Sequence, residues 1–149
     1  MFGYAGFGIL PLLFCNVCDG AMSGPTPEQL AAKPSEHMQQ VALFVWARDV
    51  QWIYPCLEFM YAVPNGGFRN PAEAGRFKAE GVKAGVPDIC LPFPNKGYHG
   101  LYLEAKKKGG RVSPEQKRFI QYLESQNYWV EVAFGYCQMR QSILNYLTD

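Results

Sequence analysis

From Ser35 to Trp52 the chain reads SEHMQQVALFVWARDVQW, with apolar residues at Met38, Val41, Leu43, Val45 and Trp46 among helix-forming ones. The pattern predicts a helix with Ser35 as its N-cap, broken by Pro55. The next run, CLEFMYAV (56–63), alternates Leu57, Phe59 and Tyr61 with Glu58 and Met60, which predicts a strand. PNGGFRNP (64–71) is dense in turn residues, and the stretch from Ala72 to Lys83 predicts a short helix at most, closed by Gly81 and Gly85. Two strands follow, from Asp88 to Phe93 and from Gly100 to Lys106, joined by the hairpin loop PNKGYHG. Ser113, Pro114 and Glu115 supply an N-cap, a first-turn proline and a first-turn acid for a helix reaching Gln126. YWVEVAF predicts a fourth strand, and Gln138 to Leu147 a last helix. The order α-β-β-β-α-β-α predicts an α/β fold, a central mixed sheet flanked by helices, with no internal repeat.

The 149 residues and their 48% hydrophobic fraction suit one domain with a sizeable core and exclude a disordered or fibrous chain. Residues 35–149 are expected to form that domain, and residues 1–34 a leader. The net charge of +1 conceals a division: residues 65–118 hold eleven Lys/Arg against five Asp/Glu, and the remainder three against eight. A basic surface around the central segment suits a polyanion, and a solvated lysine-rich face is the plainer alternative. Five scattered cysteines fit a reducing cytoplasm better than a disulfide framework. The Cys15/Cys18 pair has no second pair to complete a zinc site. Residues 1–21 are apolar and aromatic without Lys or Arg, and Pro11, Asn16 and Asp19 interrupt them. They lack the positive start of a signal peptide and the length of a span. They read as preceding the natural start at Met22, with a poor signal or anchor sequence as the alternative.

The candidate chemistry lies between Asp88 and Lys106. Side chains alternate along a strand, so Glu104 and Lys106 share a face about 7 Å apart, with Leu101 and Leu103 turned into the core. Asp88 opens the neighbouring strand and brings a second carboxylate to the same end of the sheet. Two converging carboxylates suit a hard cation, and a lysine beside them can hold a water and neutralise charge developing on a phosphate. Metal-assisted phosphodiester hydrolysis needs that combination. A simple surface ion pair is the plain alternative. Trp46, Trp52 and Trp129 lie in apolar runs and read as core, and His99 as a solvated loop residue near the motif.

PNGGFR (64–69), GVKAGVPD (81–88), LEAK (103–106) and GGRVSPEQ (109–116) together resemble the VRR-NUC branch of the PD-(D/E)xK nucleases, over about residues 36–147. The resemblance implies a restriction-endonuclease-like core and Mg²⁺ or Mn²⁺ as cofactor. It makes Asp88 and Glu104 metal ligands, adds the Ala105 carbonyl, and makes Lys106 the catalytic lysine. Gln116 matches the glutamine that faces the site. Glu36 matches the first-helix glutamate that completes the metal shell, with Glu28 also available upstream. Asn65, Arg69 and Arg76, with Lys107, Lys108 and Arg111 beyond the motif strand, are candidate nucleic-acid contacts; for Asn65 a turn role is equally open.

The resulting expectation is a metal-dependent DNA endonuclease, selective for branched or junction DNA and working as a homodimer. The expected setting is the cytoplasm of a bacterium or phage-infected cell, away from the membrane. The alternatives are a catalytically silent nucleic-acid-binding module of the same fold and, on residues 1–21 alone, a membrane-associated or secreted domain.

Overall fold

The computed structural model describes residues 24–33, 35–64 and 71–148. Chain order gives α1 (Pro27–Ala31), α2 (Glu36–Asp49), a 3₁₀ helix (Pro55–Phe59), β1 (Tyr61–Ala62), α3 (Pro71–Ala79) and β2 (Ile89–Leu91). Then come β3 (Leu101–Lys106), α4 (Pro114–Ser125), β4 (Trp129–Phe134) and α5 (Tyr136–Leu147). The strands form one sheet in the order β1-β2-β3-β4. β1 and β3 each pair antiparallel with β2, while β3 and β4 run parallel across the α4 connection. This is the mixed, helix-flanked α/β architecture that the sequence predicts.

α2 begins where its cap requires: the Ser35 hydroxyl accepts from the Met38 N–H at 3.1 Å. It buries Ala42, Leu43, Trp46 and Ala47 and stops at Asp49, well short of Pro55. Trp52 therefore falls in the following turn and is 81% exposed, not core as expected, whereas Trp46 is buried and Trp129 packs edge-on against Tyr98 and Tyr146.

The strand expected over residues 56–63 is the main correction. Pro55 opens a 3₁₀ helix in its place, and only Tyr61 and Ala62 are strand. Leu57 and Met60 are buried while Glu58 and Phe59 are exposed. A spacing of three puts Leu57 and Met60 on one side of a three-residue turn, so burial follows the 3₁₀ period and overrides the alternation. Part of the expected leader also packs on the domain. Thr26 and Gln29 close a capping box around α1, and Leu30 joins the core.

β3 sets up the two faces of the sheet. Leu101, Leu103 and Ala105 join Ile89, Leu91 and Ala133 in a core with α2 and α5. Tyr102, Glu104 and Lys106 point the other way, paired across the strands with Cys90 on β2 and with Val130, Val132 and Phe134 on β4. α4 starts over this second face. Its first turn reaches Glu104.

Candidate active site

Asp88 stands one residue before β2 and is held from two sides. Its carbonyl accepts from the Val63 N–H at 2.7 Å, and its Oδ2 accepts from the Ala105 N–H at 3.0 Å. The carboxylate is thereby hooked onto the end of β3. Two residues apart on that strand, Lys106 Nζ lies 2.8 Å from Glu104 Oε1. Glu104 is fully buried, although the sequence suggested a carboxylate beside water. Its Oε1 also accepts from Gln116 Nε2 at 2.5 Å, while its buried Oε2 has no hydrogen-bond partner.

Burial pushes the Glu104 carboxyl up to about 7; the Lys106 ammonium opposes this and the Asp88 charge adds to it. Burial also raises Asp88, against the Ala105 N–H, a hydrogen bond with the Glu104 carboxyl and the Lys106 charge, with Glu36 adding repulsion. Two carboxylates raised together, with an acceptor lacking any donor, form a site short of positive charge. A hard divalent cation with oxygen ligands would supply it.

Asp88, Ala105 and Glu36 line one cleft of about 560 Å³ with His37, Gln40, Ala62, Val63 and Pro64. Glu36 Oε1 accepts from the Lys107 N–H at 3.0 Å, tying the start of α2 to the end of β3. Among the described residues no group of three or more His, Cys, Asp or Glu side chains could hold a metal ion. A cation here would therefore take two carboxylates at most, and complete its shell from a strand carbonyl and water.

Gln116 is oriented by helix geometry. Ser113 and Gln116 form the capping box of α4: the Gln116 N–H donates to the Ser113 hydroxyl and Gln116 Oε1 accepts from the Ser113 N–H at 2.9 Å. With Oε1 committed to the cap, Nε2 is turned toward Glu104.

The basic candidates divide. Lys107, Lys108 and Arg111 are exposed just past β3, beside the site. Arg76 lies on an exposed face of α3, 3.5 Å from Glu80 and over the Phe77 ring, and is not among the residues lining the cleft. His99 is exposed and packs edge-on against Tyr128. Asn65, Arg69, the Cys15/Cys18 pair and residues 1–21 lie outside the described residues.

Three contributors escaped the sequence reading. Gly85 has φ +87°, and a Cβ there would sit 2.6 Å from the backbone of Glu115, so the glycine lets the loop before Asp88 press against the start of α4. Its place three residues before Asp88 was the available signal. His37 and Gln40 follow Glu36 at spacings of one and four, which puts Gln40 on the helix face of Glu36.

A family model of the VRR-NUC domain matches residues 41–136, more than half of the chain and the part that contains Asp88, Glu104, Lys106 and Gln116. A solved structure described as a VRR_NUC domain protein is 30% identical and superposes with a TM-score of 0.65, covering 75% of this chain and 87% of its own. No curated protein matches the chain. The chain belongs to the VRR-NUC domain family.

Proposed function

We propose that the protein is a divalent-metal-dependent DNA endonuclease that hydrolyses phosphodiester bonds in branched or junction-containing DNA. The observation that carries this reading is Glu104: fully buried, raised to about 7, with one oxygen lacking any donor and Asp88 beside it. Such an arrangement is costly without a cation and useful with one. Membership of a nuclease-type family supports the same reading.

Asp88 and Glu104, with the Ala105 carbonyl, would hold Mg²⁺ or Mn²⁺, and Glu36 would contribute from across the cleft through water. The ion would supply Lewis acidity to the scissile phosphate and to the attacking water. Lys106 Nζ, beside Glu104, positions the water and offsets charge growing on the phosphate. Gln116 keeps Glu104 aimed by donating to Oε1. Lys107, Lys108 and Arg111 would contact backbone phosphates without reading sequence, and Asn65, Arg69 and Arg76 are further candidates for such contacts.

The reading includes a homodimer, whose two opposed sites could cut both strands of a symmetric junction. The exposed Trp52, Ile53, Phe59 and Tyr61 around the sheet edge offer apolar surface for it. A second reading, a module that binds DNA without cutting, draws on the lack of a three-side-chain metal group among the described residues. Labelled linear, flap, splayed and four-way DNA incubated with Mg²⁺, Mn²⁺ or chelator separates the two. Cleavage only with the metals supports the nuclease, and tight binding without cleavage supports the module. No helix among the described residues is long and apolar enough to cross a membrane.

A further inference from the structure

The cleft that holds Asp88 has a neighbour along α2. His37, Gln40 and Ala62 line it and also line a second groove of about 340 Å³, which continues between α2 and β1. On the α2 side this groove is floored by Val41, Phe44 and Val45, and Arg48 closes its far end. From His37 to Arg48 the helix rises about 16 Å at ~1.5 Å per residue. The polar groups therefore stand at the two ends and the apolar ones between them. Arg48 is exposed, and its ion pair with Asp49, at 3.9 Å, is longer than a hydrogen bond.

From this geometry we infer that the α2 groove receives the unpaired strand next to the scissile phosphate of a branched DNA. A base stacks on Phe44, and Arg48 holds a phosphate further along. The inference rests on the nuclease reading and deepens it, because it names the feature of the substrate that would be selected. Three observations favour this occupant. The groove shares His37, Gln40 and Ala62 with the Asp88 cleft, so the two lie side by side along α2. A floor of Phe44 between two valines offers a stacking surface, which only an unpaired base can use, since duplex DNA presents base edges and phosphates. The far end carries a cation and the near end the donors of His37 and Gln40, which suits a phosphodiester chain and not an apolar peptide.

The test uses the full chain with Ca²⁺ replacing Mg²⁺. Fluorescence anisotropy compares a blunt duplex with the same duplex carrying an oligothymidine arm, and 5-iododeoxyuridine placed in the arm reports by photocrosslinking. The arm should tighten binding about tenfold, the worth of a stacked base. Arg48→Glu should remove about fivefold of that gain and leave blunt-duplex affinity unchanged, with Arg48→Lys restoring it. Crosslinks should fall on the α2 peptide containing Phe44, and Phe44→Leu should lower their yield. Equal affinity with and without the arm, crosslinks confined to other segments, or equal weakening of both DNAs by Arg48→Glu overturns the inference. Dissociation of a dimer by Arg48→Glu gives the groove to a second copy and also overturns it. The two readings fail separately. Arm preference without Mg²⁺-dependent cleavage removes the nuclease and leaves the groove, whereas cleavage without arm preference does the reverse.

Discussion

Gln116 donates to Glu104 Oε1 with its Nε2 while its Oε1 accepts from the Ser113 N–H, so one side chain both closes the first turn of α4 and holds the motif carboxylate. Helix capping and active-site geometry are thereby coupled. Because Gln116 and Lys106 both occupy Oε1, it is Oε2 that remains without a donor.

Gln116→Glu separates the two roles. Glutamate at the third helical position still closes a capping box, yet it sets a carboxylate against Glu104. At pH 5 its melting temperature should match that of the wild type. At pH 8 it should fall by a few degrees, for about 1 kcal/mol of like-charge repulsion. Gln116→Ala should lose about 1 kcal/mol at both pH values through the cap. Thermal melts of both variants at the two pH values check this.

Glu104→Gln should abolish cleavage and yet stabilise the metal-free protein at alkaline pH. The folded Glu104 pKa of about 7 lies above the ordinary 4.5, so the folded state binds the extra proton. Its stability is then fully present below pH 4.5 and is lost as pH rises through about 7. The glutamine variant lacks that decline. Its melting temperature should exceed the wild type's by several degrees at pH 8 and by little at pH 4.5. Added Mg²⁺ should raise the wild type at pH 8 and leave the variant unmoved. Melting curves across this pH range, with and without Mg²⁺, report both effects.

Gly85→Ala should destabilise the domain by about 1–3 kcal/mol, through a left-handed backbone and a Cβ pressed on the start of α4. Urea unfolding measures the loss. The displaced α4 start carries Gln116, so cleavage should fall further than the unfolded fraction explains.

The α/β fold class and the place of the candidate site within it were legible in the sequence, and the local form of residues 56–63 was not. Asp88 stands just before β2, Glu104 and Lys106 lie on its partner β3 with a simple alternation, and Gln116 sits in a capping box visible as S-x-x-Q. The 3₁₀ helix at Pro55 was not legible, because Leu57, Phe59 and Tyr61 alternate like a strand while burial selects Leu57 and Met60. The burial of Glu104 was hidden for a different reason. It depends on where α4 begins in space, and residues 107–113 between β3 and α4 do not reveal that.

Light scattering at micromolar protein tests the dimer. The wild type should run as two copies. Trp52→Glu with Phe59→Glu, both at exposed positions, should give a folded monomer. A wild-type monomer, alone and with a four-way junction, removes the dimer from the account.

The central claim, that Asp88, Glu104 and Lys106 form a cation-dependent nuclease centre, is tested most directly by cleavage of labelled branched DNA. Wild type, Asp88→Asn and Lys106→Ala are compared in Mg²⁺, in Mn²⁺ and in chelator. The account predicts cutting by the wild type only with a metal, and a loss of about a hundredfold or more in each variant with the fold intact by circular dichroism. Cleavage that survives chelation, or full activity in Asp88→Asn, would contradict it.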